Sequence, residues 1–228
     1  VRLAGSPRGE QVLSTFAGPP DGAVPVAGPT QAPQDYGYDN LFVGTTSQGG
    51  GGHCLDGSGV VVVGCGTVYQ IGALAGVWTR KTLYSFRPDE GNTPVDPVVM
   101  GPNLALYGFA GLDVYQMTRG KQGVWHKTTL YSFPGGIGGT APTGAPLFDG
   151  NGNMYGATRS FGIDGPATVF ELSPPAVAGQ PWTETTLATL PGGYTAPQPW
   201  GGLTFGSDGL LYGAASGSGN GYIFAIAP

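Results

Sequence analysis

The sequence predicts an all-β fold: a four-bladed β-propeller with four antiparallel strands in each blade. Three observations carry this expectation: a composition that forbids long helices, a motif set repeated four times in register, and a last copy that stops one strand short. The chain holds 44 glycines and 21 prolines in 228 residues, a little over a quarter of the total. That fraction alone would suit a disordered chain. A hydrophobic content of 40% with 11% aromatics argues for a packed core instead, because disordered segments lack the apolar surface that offsets ordering entropy. No window long enough for a helix combines a helical apolar period with freedom from Gly and Pro.

The repeat is read from three motifs. Trp-Thr-Arg-Lys-Thr-Leu at 78–83, Trp-His-Lys-Thr-Thr-Leu at 125–130 and Trp-Thr-Glu-Thr-Thr-Leu at 182–187 align without gaps, and the first two run on to Phe86 and Phe133. An apolar-Tyr-Gly motif recurs at Tyr107-Gly108, Tyr155-Gly156 and Tyr212-Gly213, with a looser copy at Phe42-Val43-Gly44. Val68-Tyr69, Val114-Tyr115, Val169-Phe170 and Ile223-Phe224 form the third set. Each copy holds four strand-sized pieces between turn signals, which is the make-up of a propeller blade. In the third copy these are 145–148, 153–158, 168–172 and 182–190, with Asp149-Gly-Asn-Gly supplying a tight hairpin between the first two.

The ends set the blade count. The last copy ends after its third strand at 221–225, while Val-Leu-Ser-Thr-Phe at 12–16 matches the end of a fourth strand. Pairing the two closes the ring and leaves no half-built edge. The expected single domain, 1–228, then has blades at about 28–86, 95–133, 142–190, and 200–227 plus 10–17. Tyr107, Tyr155 and Tyr212 are expected to pack between blades, with the following Gly allowing close backbone approach. Trp78, Trp125 and Trp182 fall on outermost strands, beside Arg80, Lys127 and Glu184, charges that discourage edge-to-edge pairing.

These motifs resemble the GloVer repeat, found in bacterial surface and secreted proteins. The third copy is the most similar, from Leu130-Tyr-Ser-Phe133 through Asp149-Gly-Asn-Gly-Asn-Met-Tyr-Gly-Ala-Thr158 to Thr168-Val-Phe-Glu-Leu172. The second departs, with Gly101-Pro-Asn-Leu-Ala-Leu in place of the Asp-Gly turn, and the first carries a longer segment at 31–40. The resemblance covers nearly the whole chain. It implies an extracytoplasmic propeller, in the periplasm, on the cell surface or secreted, and brings no catalytic residues with it.

Composition narrows the partners. Nine Lys and Arg against 14 Asp and Glu give a net charge of −5, with no basic cluster for a nucleic acid to neutralise. No apolar run approaches the roughly 20 residues of a membrane span. The chain opens at Val1 with no leader, as a processed secreted form would. Nucleophile-elbow, phosphate-loop and dinucleotide motifs are missing, and the two histidines and two cysteines lack zinc spacing. Only His53 is placed to serve a nucleophile–His–acid arrangement, since His126 follows Trp125 on an outer strand.

Cys54 and Cys65 bracket a Gly-rich hairpin, so that a disulfide or a pair of buried thiols fits; the former implies an oxidising compartment. Asp149, Asn151 and Asn153 alternate as in the first half of a calcium loop, but the distal Glu is missing and a hairpin turn explains the same spacing. No other cofactor is expected. The loop face, built from the second-to-third and fourth-to-first connections, gathers Asp89, Glu90, Asp96 and Asp164 as candidate acids. Arg87, Arg159, His53, Phe161, Tyr194 and Trp200 are the candidate ligand-binding groups. Aromatic platforms beside hydrogen-bonding groups suit a glycan, and paired carboxylates would suit glycoside cleavage. Three functions follow: a propeller binding a polysaccharide, cell-surface glycan or other surface molecule; a glycan hydrolase or lyase; or a structural subunit partnered with another protein in an extracellular assembly.

Overall fold

The computed structural model describes residues 11–33, 39–55, 60–90, 93–134, 140–160, 166–191, 196–217 and 219–228. It is all-β, and each repeat folds into one small antiparallel sheet, the blades of a four-bladed β-propeller. The chain divides into two compact units, Val1–Thr93 with the first sheet and Pro94–Pro228 with the other three.

In the first unit, β1 (Gly22–Pro25) and β2 (Thr30–Gln31) both pair with β3 (Asn40–Gly49), so the innermost strand is interrupted. A side hairpin, β4 (His53–Leu55) and β5 (Val61–Val63), leads to β6 (Thr67–Leu74) and β7 (Val77–Ser85). The sheet opens at Gly22, ahead of the expected start at 28, because Gly22 and Ala23 add ladder pairs to Gly49 and Gln48.

In the second unit, one sheet runs β8 (Val99–Met100), β9 (Leu106–Ala110), β10 (Asp113–Arg119) and β11 (Trp125–Ser132). The next runs β12 (Thr140–Phe148), β13 (Met154–Ser160), β14 (Thr168–Ser173) and β15 (Thr183–Thr189). The last has a split inner strand, β16 (Gln198–Pro199) and β17 (Thr204–Phe205), then β18 (Leu211–Ser216) and β19 (Gly221–Ile226).

The repeated residues have shared structural jobs. The glycine of the second strand lies directly opposite the aromatic of the third: Gly44 and Tyr69, Gly108 and Tyr115, Gly156 and Phe170, Gly213 and Phe224. A methyl group at any of these glycines would overlap the ring. The close approach that the glycine permits is thus made by an aromatic ring from the neighbouring strand, not by backbone.

The third-to-fourth ladder slips at the same place in three sheets, between Val68 and Tyr69, Val114 and Tyr115, Val169 and Phe170. The extra residue is the leucine of the Trp-containing motif, Leu83, Leu130 or Leu187. Such a bulge bends the outer strand, and Leu130 and Leu187 pack against the cores beside their sheets. Each ladder then closes with the same bond: the amides of Phe86, Phe133 and Leu190 donate to the carbonyls of Gly66, Leu112 and Ala167.

Within the second unit the sheets meet through aromatics, as expected for two of the three tyrosines. Tyr107 packs edge-on to Phe148 at 4.7 Å, and Tyr155 to Phe205 at 5.5 Å. Phe133 and Phe109 both contact Phe170. Tyr212 differs, donating its hydroxyl to Asp208 in its own turn at 2.7 Å.

Residues 12–16, expected as the outer strand of the last blade, form no strand. They lie on β6 and β7. Arg80 donates to the Ser14 hydroxyl at 3.0 Å and the Thr15 carbonyl at 3.2 Å, and its guanidinium sits 4.2 Å from the Phe16 ring centre. Phe16 reaches Tyr69 edge-on at 5.1 Å, the seat that Phe133 takes on Phe170 at 4.9 Å. Arg80 is itself gripped by both Asp21 oxygens, at 2.7 and 2.5 Å, and is only 11% exposed. It is an anchor rather than the solvated edge charge expected. β19 is consequently a sheet edge among the described residues: Ile223 is 81% exposed, whereas its counterparts Val68, Val114 and Val169 are 0% exposed.

Two outcomes test this architecture. Gly156→Ala is expected to destabilise the fold by about 1–3 kcal/mol through overpacking against Phe170, read by urea denaturation, and Gly156→Ala with Phe170→Leu should recover part of that loss. The hydrogen bonds from Arg80, ahead of the opposing effect of burial, hold the Asp21 carboxyl at about 2, below the usual 3.8. A depressed carboxyl stabilises the fold above its unfolded value and loses that stabilisation as pH falls through the folded one. Thermal unfolding of the wild type should therefore lose stability relative to Asp21→Asn between about pH 4 and 2.

Candidate functional site

Antiparallel pairing puts the second-to-third loops at one end of each sheet and the first-to-second and third-to-fourth turns at the other. Among the described residues the candidate acids and ligand-binding groups fall at the first end, and the Asp149–Asn153 turn falls at the other.

In the first unit that end is built on the Cys54–Cys65 disulfide, with Cα atoms 5.1 Å apart. It ties β4 to the segment entering β6, and Gly64 donates to the Gly52 carbonyl at 2.8 Å beneath it. Leu55, Val61 and Val63 are exposed on one face of the hairpin, while Cys54 and Cys65 are buried. His53 is exposed, its Nδ1 3.2 Å from the Gly52 carbonyl.

Asp89 and Glu90 lie in the turn Pro88–Glu90. Glu90 accepts from the Arg87 amide at 2.9 Å, the Arg87 guanidinium at 3.2 Å and the Tyr84 hydroxyl. Burial, reinforced by the Glu90 bond and charge, raises the Tyr84 phenol. Glu90 therefore caps a turn, and Asp89 faces Arg87 from 3.8 Å in solvent.

In the second unit Asp96 is brought beside Arg159, and Arg159 beside Trp200. Asp96 accepts from the Gly144 amide at 2.8 Å. Burial raises its carboxyl, opposed by the Gly144 and Thr143 bonds and the Arg159 charge. Gly144, at φ +80°, sits where the β12–β13 register is irregular and abuts the backbone of Gly201 and Gly202. Asp96 thus pins an irregularity of the inner strand. The Arg159 guanidinium stacks 4.9 Å from the Trp200 ring centre, while Trp200 stays 61% exposed. Close by, the Ser160 amide donates to Gln198 Oε1 at 2.9 Å. Phe161, Asp164 and Tyr194 lie outside the described residues.

Asp149, Asn151 and Asn153 form a hairpin turn. Asp149 Oδ1 accepts from the Asn151 and Asn153 amides at 2.8 and 2.9 Å, and Oδ2 from Asn153 Nδ2 at 2.9 Å. Burial raises this carboxyl, but those bonds outweigh it and leave the group below its usual range. Among the described residues no three His, Cys, Asp or Glu side chains gather to hold a metal, and no helix is long and apolar enough to cross a membrane.

Beyond the Asp149–Asn153 turn, sequence reasoning passed over the other end of the sheets. There a groove of about 600 Å³ opens between the second and third sheets, with Tyr107, Gln116 and Trp182 in its wall. The unequal third-to-fourth loops, short in the first copy and longest in the third, are the sequence signal that marks it. Compared with protein-family models and with curated proteins, the chain matches none.

The disulfide closes a loop with a sequence separation of 11 residues. Replacing both cysteines by serine should cost roughly 2–3 kcal/mol by the loop-entropy argument. Melting of the Ser variant should match that of the reduced wild type, and an undiminished melting temperature in both would show that the crosslink contributes nothing to stability.

Proposed function

We propose that this chain is a secreted or cell-surface propeller of the GloVer-repeat type that binds a glycan through the loop end of its blades. The observation that carries the reading is Trp200, a large aromatic left 61% exposed with its orientation held by the Arg159 guanidinium. A pyranose ring has an apolar face that lies on an indole and a rim of hydroxyls for neighbouring polar groups. Exposed tryptophan costs solubility, so a held and exposed one suits a ligand platform. The disulfide is consistent with an oxidising compartment.

Binding is favoured over cleavage by what the described carboxylates do. Glu90 accepts three hydrogen bonds in a turn, and Asp96 is bound to Gly144 at an inner-strand irregularity. Glycoside cleavage requires two carboxyls facing one another across the bond to be broken.

Incubation with insoluble polysaccharides is expected to deplete the protein onto at least one, with no oligosaccharide released. Trp200→Ala should weaken retention about tenfold while the melting temperature holds, since an exposed aromatic contributes little to the core. Retention that is unchanged in Trp200→Ala would remove this platform from the reading, and released sugars would favour the enzyme.

A further inference from the structure

We propose that the groove between the second and third sheets is a separate carbohydrate site that takes an uncharged oligosaccharide. It lies at the end of the sheets opposite the Trp200 platform and does not depend on that platform.

Two departures from the repeat meet at this groove. The first hairpin of the second blade lacks the Asp-Gly turn and bends at Pro102–Leu104, with Asn103 at φ 58° and Leu104 at φ 56°. Asn tolerates left-handed backbone but leucine does not, so the strain of this turn falls on Leu104. The third blade contributes the other departure. Its third-to-fourth link runs from 174 to 182, whereas the same link is two residues in the first blade and five in the second. The second and third blades, alike in strand order, differ here. A propeller needs only one plan for folding, and a single site requires its blades to differ.

The lining specifies the ligand class. Among the described residues that line the groove none is charged, which argues against a phosphate, sulfate or uronate. Its polar groups are neutral and include the amides of Asn103, Gln116, Asn151 and Gln180, the Thr128 and Thr129 hydroxyls and the Tyr107 phenol. Gln116 Nε2 donates to Tyr107 Oη at 2.6 Å, so the amide and the phenol are fixed relative to one another. The phenol keeps its own proton to donate, and the Gln116 carbonyl keeps its lone pairs. Trp182 borders these groups and is anchored against the core that includes Phe133 and Phe170. A rigid indole beside paired neutral donors and acceptors matches a sugar, which offers an apolar ring face and adjacent hydroxyls. The volume of about 600 Å³ falls within the ordinary range of small-ligand sites, about 300–1,000 Å³.

Fluorine NMR of the protein carrying 5-fluorotryptophan tests this. The four tryptophans give four resonances, assigned by single Trp→Phe substitutions, so Trp182 and Trp200 report on the two ends separately. The probes are neutral hexasaccharides of β-glucan, α-glucan, β-mannan and β-xylan, a hexagalacturonate, and a proline-rich decapeptide. At least one neutral hexasaccharide is expected to shift the Trp182 resonance saturably. Asn103→Gly keeps the left-handed backbone while removing the amide, and Gln180→Ala lies on an exposed loop. Each should raise the Kd about 2–10-fold with an unchanged melting temperature. The proposal is overturned if no neutral hexasaccharide moves Trp182, if only the galacturonate or the peptide does, or if both variants bind like the wild type. A shift at Trp200 alone overturns it while leaving the loop-end reading standing.

Discussion

The fold depends on one cross-strand contact made four times: a third-strand aromatic laid over a second-strand glycine. Tyr69 over Gly44, Tyr115 over Gly108, Phe170 over Gly156 and Phe224 over Gly213 occupy the same register position in each sheet. Only hydrogen at the glycine leaves room for the ring. The ring covers backbone that has no side chain of its own, and its free side is available to a neighbouring sheet, as where Phe170 meets Phe109 and Phe133. A glycine content that would otherwise indicate disorder thus includes seats for the aromatics of the core.

The outer strands follow from the same arrangement. The slip beside the aromatic turns Leu130 and Leu187 towards the cores, and the bond from Phe86, Phe133 or Leu190 then ends the ladder. Paired threonines lock the far end of the second and third strands in two sheets: Thr46 with Thr67 and Thr158 with Thr168, each at 2.8 Å. These short, satisfied polar contacts let buried hydroxyls remain in small sheets without an unmatched donor.

Against this regular background the irregular features acquire meaning. Asp96 serves Gly144, Glu90 serves its turn, and Asp149 serves its hairpin, so these carboxylates answer local backbone needs. Among the described residues, Arg87 and Asp89 stay in solvent, and two tryptophans lie towards opposite ends of the sheets. Trp200 projects at one end, and Trp182 with its amide neighbours borders a groove at the other. That pattern accords with recognition of a polyhydroxyl surface.

Much of the blade plan was legible because it is local and periodic. The Trp-containing motif marks the outer strands, Asp149-Gly-Asn-Gly marks a hairpin, and Cys54 and Cys65 flank a turn short enough to join them. The sequence by itself determined the number of repeats and the four-strand plan of the middle blades, since each repeat must satisfy the same short-range geometry, while the seating of each aromatic on its glycine emerged only from the cross-strand register. Only the tertiary structure decided that Arg80 grips Asp21, 59 residues away, and holds 12–16 against β6 and β7. It likewise decided that Asp96 reaches Gly144, that Trp200 rests on Arg159, and that turns of two sheets border one groove. These partners belong to different repeats or to segments outside the pattern. Their meeting is set by how sheets and loops pack, which no periodicity along the chain encodes.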